Sequence, residues 1–411
     1  MNQLCYNELS QGVIKMNQKF DQILQRRNNG SMKWEDAYIQ KRFQIEVNHD
    51  TEIFPLFIAD MDYALDEKIK KEMLKLYAQP DLGYFHIQDS FYESIVNWYD
   101  HIHHITISKD WIIPSIGTIT SLNLACDMLA RDQEIIIMPP VYGPFQNCSR
   151  VGKTISLPLI YQNNRYYIDF ENLEQILKTH HVRILMLCHP HNPGGRMWSQ
   201  DELQQLVDLC KLYQVIILVD EIHSDFNLTN QDFISMIEFS HQYDQIMVSA
   251  SPNKTFNISG LSTSYMLCAS PILKQQYIDY LNHLHIGCNR VGISMIELVY
   301  TYGEEWYHEL IDYIRINVNM VIKTLEQAEL KVMEPDCGYL VWVYLPHIEN
   351  VDQFVLDLAK ETHVLVETGS RFLSHYDGFI RINTATSYAL LSEAMKRLVE
   401  FYKNYTKKID D

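Results

Sequence analysis

What the chain lacks narrows its function first. It contains no G-x-G-x-x-G and no P-loop pattern, so neither a dinucleotide nor a nucleoside triphosphate is indicated. Cations are scarce: 34 Lys and Arg stand against 52 Asp and Glu, a net charge of -18, whereas binding to a phosphate backbone rests on clustered Lys and Arg. No apolar run approaches the roughly 20 residues of a spanning helix, and no basic segment leads into an apolar one at the N-terminus. On that ground the chain reads as cytosolic. Its 8 cysteines (Cys5, Cys126, Cys148, Cys188, Cys210, Cys268, Cys288 and Cys337) form no C-x-x-C pair and sit mostly among apolar neighbours, as reduced core thiols do. The histidine clusters at 101–104 and 283–285 have no Cys or carboxylate at ligand spacing, so a surface or packing role is expected there and no metal.

What is present begins with residues 249–261, where Lys254 follows an apolar run among small and hydroxylated neighbours. A lysine so placed can lose solvation, drop its pKa and add to a carbonyl as a Schiff base. A solvated loop lysine is the plain alternative. Upstream, residues 215–219 are a continuous β-branched apolar run ending in Asp220 and Glu221, as in a strand buried on both faces. An acid at the carboxyl end of such a strand stands where open α/β sheets bind ligands. Residues 183–188 form a second run of this kind, opening into a Pro/Gly loop with Asn192.

This order of Asn-Pro-Gly, strand-Asp-Glu and Ser-x-x-Lys resembles the fold-type-I pyridoxal-phosphate enzymes of the aminotransferase class I/II superfamily. The resemblance implies that Lys254 carries pyridoxal 5'-phosphate, that Asp220 keeps the pyridine nitrogen protonated and that Asn192 bonds the phenolic oxygen. The roles are mutually consistent, because a protonated ring withdraws the electron pair released at Cα and a buried carboxylate keeps that proton in place. Further matches point to the MalY/PatB-type cystathionine β-lyase branch: residues 56–63 with Asp60, Met61 and Asp62, the Asp-Glu-Ile-His form at 220–223, and residues 254–261. Where many aminotransferases carry tyrosine, His223 would lie near the phenolic oxygen. Ser262 occupies the approximate place of their second phosphate-binding arginine.

Other assignments follow the chain. Gly117, Thr118 and Ile119 lead into a helical pattern over 121–130, a hydroxyl-rich helix start suited to an anion and, by resemblance, to the cofactor phosphate; a plain N-cap is the alternative. Tyr142, in a proline-stiffened loop, would stack on the pyridine ring, and Ser251 would help hold the phosphate. Tyr84 would reach the partner's phosphate across a homodimer, or else be an ordinary packed aromatic. Asp60 would lie over the substrate. Arg381 would anchor the α-carboxylate with its planar fork, unless it serves a structural ion pair. Residues 369–372 depart from the glycine-rich pattern of the branch. A basic turn at 26–33 before an exposed Trp34 carries no signal of its own.

Strands and helices alternate from about 110 to 270, which predicts an α/β large domain with a mostly parallel sheet flanked by helices, over 60–290. Residues 20–59 and 291–411 form a smaller α+β domain, with helices from about 294 to 327 and from 387 to about 402, and a further helix at 271–285 closes the large domain. Residues 1–19 read as an extension, with Met16 an alternative start. The implied reaction is α,β-elimination from cystathionine or a related cysteine S-conjugate, giving a thiol, pyruvate and ammonia from a small-molecule amino acid without nucleic acid or membrane. An aminotransferase is the nearest rival. A serine acyl-enzyme built on Ser251 and Lys254 lacks its partner motifs, and an added regulatory binding role is compatible with the intact site.

Overall fold

The computed structural model describes residues 18–22, 24–81, 83–373 and 378–410; the expected extension at 1–19 with Met16, and Cys5, falls almost entirely outside them. Fourteen strands occur among these residues: β1 (Phe54–Leu56), β2 (Ile112–Ser115), β3 (Glu134–Ile137), β4 (Lys153–Ser156), β5 (Ile160–Gln162), β6 (Arg165–Tyr167), β7 (Val182–Cys188), β8 (Ile216–Asp220), β9 (Ile246–Ala250), β10 (Ser264–Leu267), β11 (Lys331–Met333), β12 (Leu340–Tyr344), β13 (Val364–Thr368) and β14 (Phe379–Asn383). Seven of them make one sheet in the order β2-β10-β9-β8-β7-β3-β4, parallel throughout except for β10. The apolar runs read from the sequence lie at its centre, and every residue of β8 and β9 is buried. Such strands need no polar face, because helices cover both sides.

The register positions the site. Cys188 of β7 pairs with Asp220 of β8, which pairs with Ser249 of β9, so three neighbouring strands end at one level. The loops bearing Asn192, His223 and Lys254 all leave from that edge.

Five strands, β1-β13-β14-β12-β11, form the second sheet, with β1 parallel to β13 and the other pairs antiparallel. Glu367 lies directly opposite Arg381, so both side chains share one face of this sheet.

Two helices differ from expectation. The helix foreseen from about 294 to 327 is two, Arg290–Tyr302 and Glu304–Glu326, broken at Gly303. A Cβ at Gly303 would fall 2.3 Å from a ring carbon of Phe256, two residues beyond Lys254, so close approach to the lysine loop is what this position requires. The last helix continues past 402 to Asp410, since no breaker stops it.

The basic turn at 26–33 also gains a purpose that the sequence does not show. Arg26 donates to Asp62 at 2.8 Å, Asp60 at 2.7 Å and the Met61 carbonyl at 2.6 Å. Lys33, with no exposed surface, donates to Asp62 at 2.8 Å and to the Asp60 carbonyl at 2.9 Å. Trp34, expected to be exposed, is half-buried and gives its indole N–H to Asp62 at 2.7 Å. Together these donors fasten the segment at 58–62 over the lysine. Lys33→Met should lower stability by about 2 kcal/mol, the scale for losing hydrogen bonds to a buried charge that keeps other donors, read as a lower urea midpoint at unchanged slope.

Candidate active site

Lys254 occupies the turn after β9, half-buried, and donates to the Ala59 carbonyl at 2.6 Å. Burial brings its amine down to about 8; the charge of Arg381 acts in the same direction, against Asp60 and Asp220. A lysine poised near neutrality can be both nucleophile and base. At the end of β8, Asp220 is pushed up to about 7 by burial, opposed by the Ile222 N–H at 3.1 Å and by the charge of Lys254. His223 is pushed down to about 3 by burial, with Lys254 and Arg381 adding to the effect, so it stands neutral; its Nδ1 is buried without a hydrogen-bond partner.

Arg381, in the middle of β14, is enclosed. It donates to Asn192 Oδ1 and to the Phe57 carbonyl, both at 3.1 Å, and its guanidinium lies 4.6 Å from the Phe372 ring centroid. Two separate elements thus converge: the loop after β7 brings Asn192 and the second sheet brings the arginine.

The opposite wall is the start of the helix Thr118–Ala130. Gly117 has φ +106, a conformation that favours glycine, and no side chain caps this helix. Its N–H is latched to Ser264 Oγ at 2.8 Å, while Ser121 donates to its carbonyl at 2.8 Å. Thr118 Oγ1 is buried with no partner. An uncapped helix start beside an unused hydroxyl is an anion site.

These groups border one cleft of about 880 Å³, lined by Gly117, Thr118, Ile119, Tyr142, Asn192, Asp220, His223, Lys254 and Arg381. Burial raises the Tyr142 phenol above its usual range, and the charge of Asp220 adds to this. Ser262, at φ 47, and Ser259 complete the wall by the helix start.

Two residues expected in the site, Ser251 and Asp60, are placed differently, and Tyr84, expected to act in a partner's cleft, lies outside this one. Ser251 does not line the cleft; its hydroxyl donates to the Thr263 carbonyl at 2.8 Å and accepts from the Asn253 N–H at 3.1 Å, shaping the lysine turn. Asp60 turns its carboxylate to Arg26 and reaches Lys254 only through its charge. Tyr84 is fully exposed and borders another groove, of about 940 Å³, between residues 84–92, 109–114 and 274–288.

Sequence reading missed Arg42, Glu367 and Arg371 on the cleft wall. It also missed two buried acids beneath it. Glu221, raised to about 8 by burial, accepts from Ser235 Oγ at 2.7 Å and the Met236 N–H at 2.8 Å. Asp225 accepts from Thr255 Oγ1 at 2.5 Å, Trp98 Nε1 at 3.0 Å and pairs with His103 Nε2 at 2.9 Å. Only the alternation of charge and apolar residues at 220–226 hinted at them. His103 is thereby spent on packing, and no group of metal-ligating side chains occurs among the described residues. The seven described cysteines are free thiols, six of them buried, and no described helix is long and apolar enough to cross a membrane.

The residues suit pyridoxal phosphate on their own geometry. The open helix start and Thr118 hydroxyl fit a phosphate, the buried Asp220 fits a protonated ring nitrogen, Asn192 and the unpartnered His223 face the same space, and Lys254 fits an aldehyde.

Comparison with known proteins agrees. The model of the family "Aminotransferase class I and II" matches residues 51–398. The chain is 30% identical over 387 residues to cystathionine beta-lyase PatB of Bacillus subtilis (strain 168), covering 92% of this chain and 98% of that one. Among solved structures it resembles cystalysin from Treponema denticola with its pyridoxal 5'-phosphate (TM-score 0.88, 26% identity, 94% of this chain and 99% of that one). It also resembles the pyridoxal-phosphate-bound C-S lyase from Staphylococcus hominis (TM-score 0.85, 26% identity, 94% and 98%).

Proposed function

Because the chain belongs to the aminotransferase class I and II family and takes pyridoxal 5'-phosphate as cofactor, we propose that it is a carbon–sulfur β-lyase. It would cleave cystathionine or a related cysteine S-conjugate to a thiol, pyruvate and ammonia. The observation that carries this reading is the likeness to PatB along nearly its whole length, together with Lys254, Asp220, Asn192, His223 and Arg381 gathered on one cleft.

Bound pyridoxal phosphate supplies a conjugated ring that accepts the electron pair freed at Cα. The protein supplies the rest. Arg381 grips the α-carboxylate and sets which bond at Cα faces Lys254. The neutral amine of Lys254 takes the Cα proton, and its carbonyl partner at Ala59 keeps it aimed. Asp220 retains the proton on the ring nitrogen. The C–S bond would then break with its electron pair on sulfur, which leaves as the thiol after taking up a proton, and one water hydrolyses the remaining three-carbon fragment to pyruvate and ammonia. His223, neutral on the cleft wall, would face the cofactor's phenolic oxygen without adding positive charge.

The dimer belongs to the same reading. Tyr84, exposed in a groove whose walls include Phe85, Ile87 and Leu281, would reach the phosphate in the partner's cleft.

The deciding experiment incubates purified holoprotein with cystathionine and, separately, with an amino-acid and 2-oxo-acid pair, measuring thiol, pyruvate and new amino acid. Equal yields of thiol and pyruvate are expected. A new amino acid formed without thiol release would replace this reading with an aminotransferase.

A further inference from the structure

Beyond Arg381 the cleft has a second charged corner that the reaction does not use. The described wall carries four cations, Lys254, Arg381, Arg42 and Arg371, against the two acids Asp220 and Glu367. Glu367, 6% exposed, stands on β13 directly opposite Arg381. Arg42 neutralises it at 2.5 Å and lies over the Phe57 ring, 5.1 Å from its centroid. Arg42 is therefore spent. Arg371 is different: its side chain is 58% exposed and pairs with Glu367 only through Nε, at 3.6 Å. Among the described residues no hydrogen bond occupies its terminal nitrogens.

The position of Arg371 is nevertheless fixed. The Val141 N–H donates to the Phe372 carbonyl at 2.8 Å, and a Cβ on Gly143 would meet the Arg371 carbonyl at 2.7 Å. The turn Gly369–Phe372 is thus fastened to the loop bearing Tyr142, at the mouth of the cleft. A planar fork that keeps its terminal nitrogens open, on the same cleft wall as Arg381, fits a second carboxylate on the same ligand.

We propose that Arg371 selects substrates whose side chain ends in a carboxylate, so that one arginine holds each end of the molecule. That the side chain is attached through sulfur rests on the lyase reading; the preference for a distal carboxylate does not.

Two measurements on the holoprotein test this. In the first, kcat/KM is compared for S-carboxymethyl-L-cysteine and S-propyl-L-cysteine. In the second, the affinities of the non-eliminable L-2-aminoadipate and L-norleucine are compared by calorimetric titration. Arg371→Gln should lower the carboxylate-over-alkyl ratio by about tenfold in each, chiefly through KM in the first, a size reduced from that of a buried pair by solvent screening. Arg371→Lys should restore part of it, since the charge returns without the fork. Added salt should shrink the wild-type ratio. Ratios that are the same in wild type and Arg371→Gln would overturn the proposal. Absence of pyruvate from both cysteine derivatives would instead overturn the lyase reading, while the titration still decides the role of Arg371.

Discussion

Lys254→Ala is expected to lower turnover by roughly 10⁴-fold, the upper range for removing a positioned acid–base group, and to abolish covalent attachment of the cofactor. Both follow from one amine, held against the Ala59 carbonyl: on the proposed function it is the nucleophile toward the cofactor aldehyde and the base at the substrate Cα. Wild-type holoprotein should be yellow. The variant should take up the cofactor, if at all, without the wild-type spectrum, and an unaltered visible spectrum would remove Lys254 from the chemistry.

The same residue predicts a pH dependence in cofactor-free protein. Its folded pKa lies near 8, lowered by burial, while an unfolded lysine titrates near about 10.4. Between these values the unfolded chain holds more protons, so the stability contribution of Lys254 rises with pH across that window. Capture of added cofactor should likewise speed up as pH rises through about 8 and then level off, because only the neutral amine adds to an aldehyde. Denaturation midpoints and capture rates at stepped pH values would check the two trends, and Lys254→Ala should lose both.

Asp220→Asn is the second large effect. It keeps the shape of the side chain and removes the charge that holds the ring proton, so turnover should fall by about 10²- to 10³-fold, the scale for losing one preorganised group opposite developing charge. The cofactor should remain attached, since Lys254 is untouched. Single-turnover proton exchange at Cα would isolate the slowed step, and normal exchange in the variant would contradict the role. Without cofactor, burial raises the folded pKa of Asp220 to about 7, against about 3.9 in an unfolded chain. The folded protein then holds more protons between these values, so this residue favours the folded state at the acid end and loses that contribution as pH rises through about 7.

Local pattern made the large sheet legible. Residues 183–188 and 215–219 cannot be half-exposed strands, because they have no polar alternation, and they lie at its centre. Helix length was less legible: a glycine forced by Phe256 splits one predicted helix, and nothing near residue 303 announces that contact. The expected exposure of Trp34 failed for the same reason. Its partner Asp62 is 28 residues away, so the pair exists only after folding.

By itself the sequence determined the chemistry's ingredients: a lysine after a buried strand, an acid at the end of its neighbour, an Asn-Pro-Gly loop and a hydroxyl-rich helix start, each a local signal carried by a few adjacent residues. Tertiary structure alone decided how they meet. Pairing of Cys188, Asp220 and Ser249 across three strands sets one level for the loops, and burial in that shared cleft brings the amine and the carboxyl to within about a unit of each other. It also turned Asp60 to Arg26, and set Glu367 opposite Arg381 with Arg371 beside it at the mouth. Desolvation and charge pairing depend on everything packed around a group, and no stretch of neighbouring residues encodes that.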